Sequence, residues 1–118
     1  MSVSDLISMH SDLPPRRVNL LLPVDHPFWD RVYELPEVAS MVKRSDSCAA
    51  RLLLVRGLEL IAGGASLPLM CQGRSLSIPC AGWVDRWCYE LASEHRVSMR
   101  SLAQGAVILA LEALVDQA

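Results

Sequence analysis

Between Arg74 and Leu114 the chain holds a strand and two helices, with almost no residues left over for connections. Leu76 and Ile78 alternate with Ser75 and Ser77, so one face of the strand is apolar and the other polar. Pro79 has no N–H to give to a ladder and is expected to end the strand. Trp83, Val84, Trp87, Cys88, Leu91 and Ala92 then recur at helical spacing, with Asp85, Arg86, Glu90, Ser93 and Glu94 on the opposite side. Ser98 opens a second helix, Met99 to Val115, that is apolar almost all round. Its longest polar side chains, Arg100, Gln104 and Glu112, fall within an arc of roughly 120°. A helix wetted on so narrow an arc must be covered by protein elsewhere. A lone strand, moreover, leaves its backbone groups unpaired. The unit therefore needs a second copy of itself.

That copy lies upstream. Arg16 to Leu22 reads as a strand closed by Pro23, with Val18, Leu20 and Leu22 on one face and Arg17, Asn19 and Leu21 on the other. Asp25 is a good N-cap, and Pro27 sits where a first turn accepts proline. Phe28, Trp29, Val32 and Leu35 make an amphipathic stripe. Pro36 should kink or restart the helix before Val38, Met41 and Val42, and Lys43-Arg44 ends it. Ser45 opens the next helix, which runs through Ala62 and is closed by Gly63-Gly64. Its polar residues Arg51, Arg56 and Glu59 span roughly 140°, so it too is mostly covered. The pattern strand, proline, helix, helix thus occurs twice, with Ser45 matching Ser98 and Pro23 matching Pro79. Residues 1–15 form an N-terminal arm ending in Pro14-Pro15. Residues 16–64 are the first copy, 65–73 a connector and 74–118 the second, together making one domain.

Charge and cysteine usage narrow the setting. The chain has no run of 18 apolar residues, so no membrane span is expected. Met1 to Pro15 lacks the basic start and apolar centre of a secretory signal. Four cysteines, with no CxxC pair, fit a reducing cytoplasm. Net charge is −2, yet Arg16 to Leu111 carries 11 basic and 9 acidic side chains, the other acids lying at the two ends. A weakly basic centre permits nucleic-acid binding without demanding it.

The repeated pattern resembles the ribbon-helix-helix family, the MetJ/Arc group. The resemblance covers about Arg16 to Val115. It implies a fold that is mainly α with one two-stranded antiparallel ribbon, here as a single-chain pseudo-dimer. It further implies that the ribbon enters the major groove of duplex DNA. Tandem members occur among accessory proteins of plasmid conjugation and T-DNA transfer. Accessory work in DNA processing, or transcriptional regulation of a mobile element, is the implied function. A relaxase or other DNA-transfer protein is the implied partner, with self-association of pseudo-dimers a further expectation. Carried over, the base-contacting positions are Arg17, Asn19, Leu21, Ser75 and Ser77. Arginine and asparagine can bond base edges bidentately, serine can reach several bases, and leucine can touch a thymine methyl. The family also rests the start of each second helix on phosphate, where free N–H groups and the helix dipole favour anions. Those positions are Ser45, Ser47, Ser98 and Ser101, with Arg16, Arg44, Arg74 and Arg100 adding charge.

The chain departs from the family pattern in ways that bear on specificity. One outward strand carries only serine and a bordering Gly73, Arg74 falls at an apolar position, and Asp46 would repel phosphate. The two halves differ, so a DNA site should be asymmetric, and binding weak or partner-assisted. Plainer roles compete at each position. Arg17 and Asn19 could be a solvated strand face, and Ser75 and Ser77 a polar edge without readout. The serines at 45 and 98 should at least cap helices. Trp29, Trp83 and Trp87 belong to core-facing stripes. His10, His26 and His95 are scattered and give no zinc spacing with the cysteines. No catalytic motif is present, so neither an enzyme nor a cofactor is expected. A rival function keeps the fold as an antitoxin-like or scaffold module without DNA readout.

Overall fold

Two seven-residue stretches with period-two alternation build the ribbon over the core. The computed structural model of the chain describes residues 13–22, 46–68 and 74–116. Arg16–Leu22 forms β1 and Arg74–Cys80 forms β2. They pair antiparallel in a two-stranded sheet, with Val18 opposite Ile78 and Leu20 opposite Leu76. Three helices complete the described residues: α1 (Asp46–Ala62), α2 (Gly82–His95) and α3 (Met99–Asp116). The described fold is mainly α-helical with one two-stranded antiparallel sheet. The helix expected between Asp25 and Arg44 lies outside the described residues, as does most of the N-terminal arm.

Two sequence expectations need correction. Pro79 does not end its strand, because β2 continues through it to Cys80. Each strand of a two-stranded sheet has one open edge, and a proline whose nitrogen faces that edge costs the ladder nothing. The extension turns Cys80 inward, where it is buried. The second correction concerns Gln104: helical spacing groups it with the wetted arc of its helix, yet it is 0% exposed. Arg100 and Glu112 are exposed as expected. The wetted stripe of α3 is thus interrupted in its middle.

One core joins all the described elements. The underside of the ribbon contributes Val18, Leu20, Ile78 and Cys80. Ala49, Ala50, Leu53, Leu54, Leu58 and Ile61 come from α1, and Val84, Trp87, Cys88, Leu91 and Ala92 from α2. The largest share of α3 is buried too, as its nearly uniform apolar sequence requires. Trp87 is buried and Trp83 half-buried, their ring centroids 6.2 Å apart, so both act in packing. α1 and α3 approach each other closely at Gly57. A Cβ added at Gly57 would overlap the backbone of Ala106. Glycine is what lets the two helices meet there.

The helix ends follow from local chemistry. At the end of α1, Ala65 N–H donates to Leu60 O and Gly64 N–H to Ile61 O, each at 3.0 Å. Gly64 takes φ = 104°, the left-handed position of this turn. The same turn closes α2, with Val97 N–H donating to Ala92 O at 3.0 Å. Its left-handed residue is Arg96, at φ = 57°, a conformation that costs a non-glycine residue roughly 1 kcal/mol. Immediately afterwards Ser98 caps α3: Ser101 N–H donates to Ser98 Oγ at 3.1 Å, and the Ser98 hydroxyl donates to Ser101 Oγ at 2.9 Å. Ser98→Ala is expected to cost about 1 kcal/mol. In a thermal melt this should appear as a drop of roughly 4 °C. A melt identical to wild type would remove the cap from the account of this turn. No helix among the described residues is long and apolar enough to cross a membrane.

Candidate nucleic-acid interface

The ribbon has one face in the core and one in solvent. Val18, Leu20 and Ile78 lie beneath, while Arg17, Asn19, Ser77 and Pro79 are exposed. Register opposes Arg17 to Pro79, Asn19 to Ser77 and Leu21 to Ser75. Three of the expected base-contacting residues, Arg17, Asn19 and Ser77, therefore share one accessible surface. The side chains of Leu21 and Ser75 lie outside the described residues, although their backbones pair at the same level.

Arg17 does not project at random. Its Nε donates to Ser77 Oγ at 3.1 Å and its Nη2 to the Ser77 carbonyl at 2.6 Å. The guanidinium is therefore laid diagonally across the ribbon, a reach that long side chains have between antiparallel strands. Its remaining N–H groups stay available to an acceptor. Ser77 thus does something the sequence did not reveal: it orients the arginine of the other strand.

Beside the open edge of β1 lies a groove of about 560 Å³. Its wall on the ribbon side is Arg17, Val18, Asn19 and Leu20, and the far side is Asp85 and Cys88 of α2 with Met99 and Arg100 of α3. The N-terminus of α3 opens here. Ser98 Oγ accepts the N–H of Ser101, and the first intrahelical bond runs from Leu102 N–H to Ser98 O at 3.0 Å. Helix geometry leaves the N–H groups of Met99 and Arg100 without an intrahelical acceptor. An anion seated in the groove would meet those N–H groups, the positive end of the helix dipole and the side chains of Arg17 and Arg100. The thiol of Cys88 contributes no negative charge at neutral pH. Burial pushes it up to about 12, and burial likewise raises Cys80 to about 11.

The other expected phosphate-contacting residues are spread out. Arg16 is exposed at one end of the ribbon, in a smaller concavity of about 160 Å³ with Leu13, Pro14, Gly82, Asp85 and Arg86. Leu13 and Pro14 pack against Gly82 at the start of α2, so this end of the arm is part of the fold. Ser98 and Arg100 are exposed and Ser101 half-buried, all in the first turn of α3 or at its cap. Arg74 is opposite Leu22 at the far end of the ribbon. Ser47 is in the first turn of α1. The side chains of Arg74 and Ser47 lie outside the described residues, as do Arg44 and Ser45 entirely. One corner of the expected surface is therefore assembled: Arg17, Asn19 and Arg100 around a helix N-terminus. Asp85 belongs to it as well, without a signal in the sequence. In sequence it reads as one more polar residue on the wet side of α2, with no sign that β1 would come alongside.

Comparison with known proteins finds no match for this chain among protein-family models, curated proteins or solved structures.

Proposed function

We propose that the chain is a single-chain ribbon-helix-helix pseudo-dimer that binds duplex DNA through the exposed face of its ribbon. The observation that carries this reading is the register. Arg17 and Ser77, 60 residues apart in sequence, come together because the strands pair so that Arg17 and Asn19 stand with Ser77 on one solvated face, with Val18, Leu20 and Ile78 buried beneath. A two-stranded ribbon of this width suits the major groove, and these side chains suit base edges. The adjoining groove supports a phosphate contact at Arg100 and the α3 N-terminus. The exposed half contributed by β2 is uncharged at Ser77 and Pro79, so the proposed DNA site is asymmetric. By the family likeness, the work would be accessory to plasmid or T-DNA processing, or regulation of a mobile element, in the cytoplasm. A relaxase would be the natural protein partner.

Salt dependence tests the reading. Fluorescence anisotropy of a labelled 30-base-pair duplex is expected to give a log–log slope of about −2 to −3 between 50 and 200 mM NaCl, for two or three phosphates neutralised. The proposed phosphate partners are Arg16, Arg17 and Arg100. If neither random duplex nor fragments of the protein's own replicon bind at 50 mM NaCl, the ribbon face serves a protein partner instead. The antitoxin-like or scaffold reading then takes its place.

A further inference from the structure

Asp85 is a carboxylate set among arginines. It lines the larger groove with Arg17 and Arg100, and the smaller concavity with Arg16 and Arg86. Arg86 is engaged with Glu90, at 3.2 Å, and lies over the Tyr89 ring at 5.4 Å. Among the described residues Asp85 itself carries no ion pair. As a lining residue of both concavities, it sets a carboxylate beside whatever enters the groove. Position in the first turn of α2 gives it a modest helix-stabilising role. That role does not require the turn to lie beside Arg17 and the start of α3.

We infer that Asp85 is a brake on phosphate contact, limiting the affinity of the groove for any nucleic-acid backbone. The inference rests on the DNA-binding reading above. A phosphate drawn by Arg100 and the α3 N-terminus comes close to a fixed negative charge. The repulsion is independent of base sequence, so it weakens random and cognate duplex alike at the backbone. Arg17 and Asn19 line the groove too, but the base contacts proposed for them are made on the exposed face of the ribbon rather than inside the groove. The share of binding that comes from base readout rises as a result. Discrimination is thereby obtained at the expense of total affinity, by a repulsive element built beside an attractive one.

The test uses the full chain and three variants, Asp85→Asn, Asp85→Ser and Glu94→Gln, with anisotropy on a random 30-base-pair duplex. Glu94 is exposed near the far end of α2 and lines neither concavity. Its substitution changes net charge by the same amount. Both Asp85 variants are expected to bind about three- to tenfold more tightly at 50 mM NaCl, the scale of one like-charge contact in a partly solvated groove. The gain should shrink below about twofold at 300 mM, where screening is strong. Glu94→Gln is expected to stay within about twofold of wild type. A purely helix-stabilising Asp85 would shift the thermal midpoint and leave affinity unchanged. Binding by wild type with no gain in either Asp85 variant overturns the inference and leaves the DNA reading standing. An equal gain from Glu94→Gln overturns it as well, since net charge would then suffice. Absence of binding by all four proteins overturns the DNA reading itself.

Discussion

Gly57→Ala is expected to be the most damaging single-methyl substitution in the described fold. The added carbon would overlap the Ala106 backbone, not the end of a flexible side chain. Neither helix can yield by changing a rotamer. Relief requires α1 and α3 to move apart along a contact that Leu53, Leu54, Leu58, Leu102 and Leu111 fill with 0% exposure. Overpacking of a dense core costs about 1–3 kcal/mol and more where backbone must shift. Alanine gains up to about 1 kcal/mol over glycine in helix propensity. Taking the upper end of the overpacking range, because backbone and not side chain must yield, the net expectation is a loss of about 2 kcal/mol, a large part of the stability of a small domain. Thermal denaturation followed by circular dichroism measures it. Gly63→Ala is the control. Its Cβ would meet only backbone carbonyls at 3.4 and 3.5 Å, at an exposed helix end, and stability should change by less than about 0.5 kcal/mol. Equal melts for the two variants would mean that α1 and α3 do not cross at Gly57.

The second large effect concerns recognition. Arg17→Ala combined with Asn19→Ala is expected to reduce affinity for a preferred duplex by about 30-fold or more. Each good base contact discriminates by about 1–3 kcal/mol, and both residues are on the exposed ribbon face. Stability should fall little. The two bonds from Arg17 to Ser77 are exposed and each is worth at most about 1 kcal/mol. On random duplex the loss should be smaller, because only the phosphate share attributable to Arg17 disappears. Anisotropy on both duplexes reads the difference. Unchanged affinity on a duplex that wild type binds would place recognition somewhere other than the ribbon.

Local chemistry made some of this molecule legible before its folding was known. Both strands, the end of α1 at Gly63-Gly64 and the start of α3 at Ser98 follow from alternation, glycine and a capping hydroxyl. These signals act over a few residues. The misjudged positions are those where a distant element decides. Pro79 stays in β2 because its edge of the ribbon is open, a property of the pairing and not of the proline. Gln104 is buried by other parts of the fold, although helical spacing groups it with Arg100 and Glu112. The groove was the least legible feature. It exists only where β1, α2 and α3 converge, so no spacing within one segment could reveal that Asp85 and Arg100 face Arg17.

The ribbon also imposes an order on synthesis. Arg17 and Ser77 are separated by 60 positions, so β1 emerges from the ribosome long before its mate exists. Until Cys80 has been made, Val18 and Leu20 have no sheet partner, and the groove has neither its α2 nor its α3 wall. Closing so long a loop carries an entropy cost that contacts within single helices do not. Helices should therefore form early and the ribbon late, which means that the surface proposed to touch DNA matures only after β2, α2 and α3 have been made.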